Sequence, residues 1–176
     1  MIEQIKTPRF LILTLFVVLA AATRALPLFI PHIWNFTAVG ALAVFGGAQF
    51  SDKRLALIMP LAAMALSDIF IGNGFNTVVY AGFVAMVACG FMIRNKRTLA
   101  NGVLASIVGA VVFFLITNFA YLYPTTQYPH NMQGVITSYT MALPFLNNML
   151  VGNLVYGGVL FIAFGFLEKR YPVLAR

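Results

Sequence analysis

Acidic residues are scarce in this chain: Glu3, Asp52, Asp68 and Glu168 stand against eleven lysines and arginines. Paired-carboxylate chemistry has little to draw on, because Asp68 alone falls inside a long apolar run. Cysteine is scarcer still. Cys89 by itself excludes an internal disulfide and any cysteine-paired metal site. No Gly-Lys-Ser or Gly-Lys-Thr phosphate loop occurs, so the chain does not energise transport with ATP on its own. Charged residues make up only 9% of the sequence.

Apolar side chains take the place of what is lacking. With 61% hydrophobic residues and a mean hydropathy of +0.92, a chain of 176 residues cannot hide its surface in a water-soluble globule, and a membrane must be its solvent. A spanning helix needs roughly 20 apolar residues, so this length leaves no room for a soluble domain. The expected fold is an all-α integral membrane protein, one six-helix domain over residues 1–176. The apolar runs lie at about residues 10–26, 34–50, 55–71, 77–93, 99–121 and 145–167. The first follows a short basic leader but continues into further apolar sequence, and so reads as a retained helix rather than a signal peptide.

Ten of the eleven basic residues fall on one side if the chain crosses six times: Lys6, Arg9, Lys53, Arg54, Arg94, Lys96, Arg97, Lys169, Arg170 and Arg176. The positive-inside bias then puts both termini in the cytoplasm of a bacterial inner membrane. It also accounts for a pI near 9.9 through orientation and contact with membrane lipids, with no need for nucleic acid.

The eleventh, Arg24, is the exception. At about 1.5 Å per residue it lies roughly 20 Å from the basic end, at a height similar to Asp68, and the two are placed to pair. Asn118, Asn147, Asn148 and Asn153 populate the same layer. His32, Trp34 and Asn35 precede the second helix, Asn76 and Tyr80 open the fourth, and His130 lies in a long outer segment, residues 122–144. That segment exceeds what a connection requires and is expected to cap a cavity as a lid. A polar, aromatic layer over an apolar base is the pattern of a small-molecule pocket open to the exterior. Each element also has a plainer role, as interfacial aromatic, interhelical hydrogen bond or structural ion pair. The two histidines are weak metal or haem ligands because no fixed spacing joins them; no cofactor is expected. Ala43 and Gly47, then Gly102, Ser106, Gly109 and Ala110, then Gly152, Gly157 and Gly158, mark close helix packing, and Pro60 is expected to kink the third helix.

Several stretches carry a family resemblance: Pro31-His32-Ile33-Trp34-Asn35-Phe36-Thr37 running on to Ala48, then Pro60 with Leu66-Ser67-Asp68-Ile69-Phe70-Ile71-Gly72, then Phe113 to Phe119, then Ala142-Leu143-Pro144-Phe145-Leu146-Asn147-Asn148. Over most of its length the chain resembles a bacterial six-helix membrane family of unknown function (DUF6580-like). That family is similar in size and topology to the S components of energy-coupling-factor vitamin transporters. The resemblance implies a vitamin-like ligand at the outer face, with Asp68, the outer loops and the sixth helix lining the site, and engagement with a cytoplasmic ATPase and a coupling membrane protein. The inner half of the first helix lacks the two alanines spaced by four with which S components dock. A corrinoid is one candidate ligand, although Cys89 lies too near the basic end to meet its cobalt. The leading expectation is therefore a substrate-binding subunit for uptake. Its rivals are a scaffold or assembly subunit and a membrane enzyme using Asp68 with His32 or His130.

Overall fold

The computed structural model describes residues 7–30 and 34–174. It is all-helical there, with six α-helices: α1 Pro8–Ala22, α2 Val39–Gln49, α3 Lys53–Ile71, α4 Thr77–Met92, α5 Leu99–Thr117 and α6 Met132–Arg170. Five of them begin at a side chain that accepts backbone N–H groups, the residue type that helix starts select for. Thr7 caps α1, Asp52 α3, Asn76 α4, Thr98 α5 and Asn131 α6. The first turn of α3 ends the preceding reversal, and its last turn closes on Gly72 in the left-handed region, φ 74°.

The middle of the bundle is α2. All eleven of its residues are buried, which is why its sequence is small and apolar on every face. It packs against α3, α4, α5 and α6. Its last carbonyls end inside the protein and are met by arginines: Arg94 Nε donates to Gly47 O at 2.8 Å, Arg94 also reaches Phe50 O, and Arg9 Nη2 donates to Gln49 O at 3.1 Å. Cations at a helix C-terminus satisfy orphan acceptors and oppose the helix dipole. Arg9 also pairs with Glu168 at 2.6 Å, and Arg97 binds both Glu168 and the side chain of Gln49. Arg9 further donates to Leu174 O. The first described helix and the last described turn therefore meet at one basic end of the molecule. Above this network Phe45 is wrapped by Phe161 and Phe164 at 5.2 and 5.6 Å, both edge-on, which fills the basic half with rings.

Three helix boundaries differ from the sequence-based expectation, all at the opposite, polar end. The expected helix over 34–50 starts only at Val39, because Asn35 adopts a positive φ of 65° and the Ala38 N–H is taken by the Thr23 hydroxyl at 2.8 Å. The expected helix over 10–26 leaves the α conformation at Ala22 and tightens into a 3₁₀ turn, Thr23–Leu28, that contains Pro27. The long outer segment is mostly helix: α6 starts at Met132 and runs through Pro144 for 39 residues, about 58 Å. Proline frees one carbonyl, a loss that membrane helices absorb, while the Asn131 cap fixes the start. The irregular remainder is 118–131, closed by a tight return at Gly134, where a Cβ would lie 1.8 Å from Pro129 O.

Four helical stretches, Pro8–Leu28, Lys53–Ile71, Leu99–Thr117 and Met132–Arg170, are long and apolar enough to cross a membrane. The small-residue packing expected from sequence is present where Gly102 lies under the Phe161 ring and Gly157 faces Ser106. Gly158 borders open space instead.

Candidate functional site

Because α2 is only eleven residues long, the bundle has no central helix at its polar end. Irregular backbone is tolerated at membrane depth where it lines a cavity, and here it does. A cavity of about 380 Å³ is floored by Asn35 and Thr37 of that irregular stretch. One face each of three helices completes the wall: Val79 and Phe83 of α4, Phe113 and Thr117 of α5, and Ala142, Phe145, Leu146 and Met149 of α6. The spacings i, i+4 and i, i+3, i+4, i+7 are those of residues on one helix face. Arg24, Asn118 and Tyr123 add the polar groups.

Among the described residues, Arg24 is the only charged group in that lining. Its Nη2 meets Asp68 Oδ1 at 2.7 Å, and its Nη1 donates to Ser67 Oγ at 2.7 Å and to Met64 O at 3.2 Å. The Tyr80 hydroxyl donates to the other carboxylate oxygen, Asp68 Oδ2, at 2.8 Å. Asp68 is 7% exposed, so the pair is compensated inside the protein rather than by solvent. Breaking such a pair from one side is costly, about 3–5 kcal/mol.

A second cavity of about 270 Å³ is lined by Asp68, Asn73, Asn76 and Tyr80, and it shares Arg24, Met64 and Val79 with the first. Arg24 thus borders both cavities, and Asp68 only the smaller. Three other polar groups of the larger chamber are engaged with backbone carbonyls, while Asn35 and Thr37 add further polar side chains to its lining. Thr117 Oγ1 donates to Phe113 O at 2.9 Å, Asn118 Nδ2 to Phe114 O at 2.9 Å, and the Tyr123 hydroxyl to Thr117 O. Burial, with the neighbouring Tyr128, pushes the Tyr123 phenol above the ordinary tyrosine value, which keeps it a neutral donor.

Of the residues singled out in the sequence, Arg24, Asn35 and Asn118 line the larger chamber, and Arg24, Asp68, Asn76 and Tyr80 the smaller. Asn76 is also the cap of α4. Asn148 Nδ2 holds the Trp34 carbonyl at 2.9 Å, pinning the irregular stretch to α6, while the Trp34 ring is exposed. Asn147 is exposed on α6. His130 is not brought into either chamber's lining: its ring stacks on Tyr121 at 4.7 Å and its Nε2 lies 2.8 Å from Tyr123 O. His32 lies outside the described residues. Asn153 sits deeper, with Nδ2 donating to Ser106 O at 3.1 Å and Oδ1 against Gly40, where a side chain would collide.

Sequence reasoning did not single out Ser67, Thr117 or the ring wall of Phe83, Phe113, Phe114 and Phe145. The signal was present as the same-face spacing of Phe113 with Thr117 and of Ala142 with Phe145, Leu146 and Met149. A larger hollow of about 530 Å³ lies between α1 and α3, but its wall includes outward-facing Val18, Leu66 and Phe70. It is an apolar surface groove.

An all-α bundle with four membrane-length apolar helices and a cavity at one end is a multi-pass membrane protein. The chain belongs to the family of unknown function DUF6580, whose model matches residues 4–174. No curated protein and no solved structure matches it.

Proposed function

We propose that this protein is a membrane-embedded substrate-binding subunit for uptake of a vitamin-like or cofactor-like small molecule. In this reading it crosses a bacterial inner membrane six times, with both ends cytoplasmic and the cavity toward the exterior. The observation that carries the reading is the asymmetry of the bundle. One half is plugged by Phe45, Phe161, Phe164 and the Arg9–Glu168–Arg97 network, whereas the other holds a 380 Å³ cavity with a pre-paired guanidinium in its wall. A volume of a few hundred Å³ with mostly apolar walls and few convergent polar groups is the usual form of a small-molecule site.

Movement of the ligand past the plug then requires an energy source outside this chain. An ATPase with a coupling membrane protein, as in S-component transport systems, is one such source. That part of the reading rests on the resemblance in the sequence alone. The enzyme alternative draws less support, because both Asp68 oxygens are engaged and His130 is turned into its own loop.

The test is thermal stability of the purified protein in detergent across vitamins, corrinoids, haem and nucleobases, with mass spectrometry of whatever co-purifies. A bound ligand at 100 times its Kd raises stability by about 2.7 kcal/mol. A shift lost in Asp68→Ala supports capture at this site. A flat panel with nothing co-purified transfers the weight to a scaffold or assembly subunit.

A further inference from the structure

Resting on the binding-subunit reading, we infer that the larger chamber takes an uncharged, flat, conjugated ring compound whose hydrogen-bond-accepting edge, a carbonyl or ring nitrogen, meets Arg24. Three observations converge on this chemistry.

The first is charge. Among the described residues, Arg24 is the only ionic group lining the larger chamber, and its charge is already cancelled by Asp68 at 2.7 Å. A carboxylate or phosphate entering beside this neutral pair would leave a net negative charge in a site with mostly apolar walls, and a cation would find no free carboxylate there. Uncompensated charge at membrane depth is disfavoured, whereas a neutral acceptor adds none.

The second is donor count. A guanidinium has five N–H groups and no acceptor. Two are donated, to Met64 O and Ser67 Oγ, and Nη2 lies against Asp68 Oδ1 at 2.7 Å. The rest remain for a ligand, on a group that its neighbours have already fixed in place. The hydroxyls of Thr117 and Tyr123 spend their hydrogens on backbone carbonyls.

The third is the wall. Phe83, Phe113, Phe114 and Phe145 line the chamber with Met64 and Met149, and the Phe83 and Phe113 rings sit 4.9 Å apart at 56°. Ring faces and thioether sulfurs favour a flat conjugated partner over a puckered aliphatic one of equal size.

The experiment compares three probes by thermal stability and by fluorescence of Trp34, the one tryptophan, whose neighbour Asn35 lines the chamber. Quinoline-3-carboxamide is flat and neutral, quinoline-3-carboxylate is flat and anionic, and cyclohexanecarboxamide is neutral and puckered. The expected order places the quinoline amide at least about tenfold tighter than either of the others. In Asp68→Asn, which leaves Arg24 uncompensated, the carboxylate overtakes the amide. Should that variant not fold, Phe113→Leu serves, and it weakens the quinoline amide while leaving cyclohexanecarboxamide unchanged. Wild type preferring the carboxylate, or binding the two amides equally, overturns the inference and leaves the uptake reading standing. Binding of none of the three also overturns it, and the uptake reading falls with it only if the broad vitamin and corrinoid panel is flat as well.

Discussion

Gly47 of α2 and Gly90 of α4 face each other at backbone contact: a Cβ on Gly47 would lie 2.3 Å from Val87 O, and one on Gly90 would lie 2.1 Å from Val44 O. Neither neighbour is a side-chain tip that could swing away, so the helices themselves would have to separate. This contact seats the short buried helix, and its seating leaves the cavity open above it. Gly90→Ala is therefore expected to destabilise the protein by about 1–3 kcal/mol, the range for forced overpacking. Gly158→Ala, where a Cβ meets nothing within 4 Å, is the matched control. It should be neutral or stabilising by about 0.5–1 kcal/mol through helix propensity. Thermal unfolding of both variants in one detergent separates packing from propensity. Equal behaviour would mean that α2 and α4 are not in backbone contact.

A double-mutant cycle tests the ion pair between Arg24 and Asp68. Arg24→Ala leaves the Asp68 carboxylate with Tyr80 alone, and Asp68→Ala leaves Arg24 with Ser67 and the Met64 carbonyl. Each is expected to cost about 3–5 kcal/mol, and the double variant less than the sum, because removing both partners strands no charge. Strict additivity would show that the two residues are not energetically coupled.

The same comparison of partners shows how much was legible in the sequence. Depth alone put Arg24 and Asp68 at one height, where they could pair or anchor a ligand, and the structure joins them. The existence and order of six helices followed from apolar runs. The ends at the polar side did not, for a physical reason. Trp34 to Ala38 joins the following helix with no charge and no proline between them, so the apolar run does not show that Asn35 turns left-handed and Thr23 captures the Ala38 N–H. Pro144 was read as a boundary although the Asn131 cap lies thirteen positions earlier. The ring wall was hidden differently: Phe113, Phe145 and Met149 look like ordinary core until the shortness of α2 leaves them facing a space.

At the basic end, Arg9 is asked for geometry as well as charge. Its fork reaches Glu168, the Gln49 carbonyl and side chain, and Leu174 O, while its plane lies 4.9 Å over the Phe164 ring. Lysine offers a point charge and cannot span these acceptors. Arg9→Lys should therefore lose most of what Arg9→Ala loses, about 2–4 kcal/mol, since buried acceptors at the end of α2 go unmet in both. Rescue by lysine, measured as a Tm within a degree or two of the parent, would reduce the network to simple charge attraction.

The direction in which the cavity opens decides what the protein can do, and one native thiol makes it measurable. Cys89 is buried in α4, so single cysteines placed at exposed sites report against a quiet background. Thr126 lies in the polar-end loop, and Asn95 in the turn after α4 at the basic end; both are exposed. The proposed orientation, read from the charge bias, has Asn95 on the cytoplasmic side. A membrane-impermeant maleimide applied to intact spheroplasts is expected to label Thr126→Cys and to spare Asn95→Cys until the membrane is broken. The reverse pattern would turn the Arg24 chamber toward the cytoplasm. Uptake through an outward cavity would then be untenable, and the same guanidinium and ring wall would have to be read as loading a compound from inside the cell.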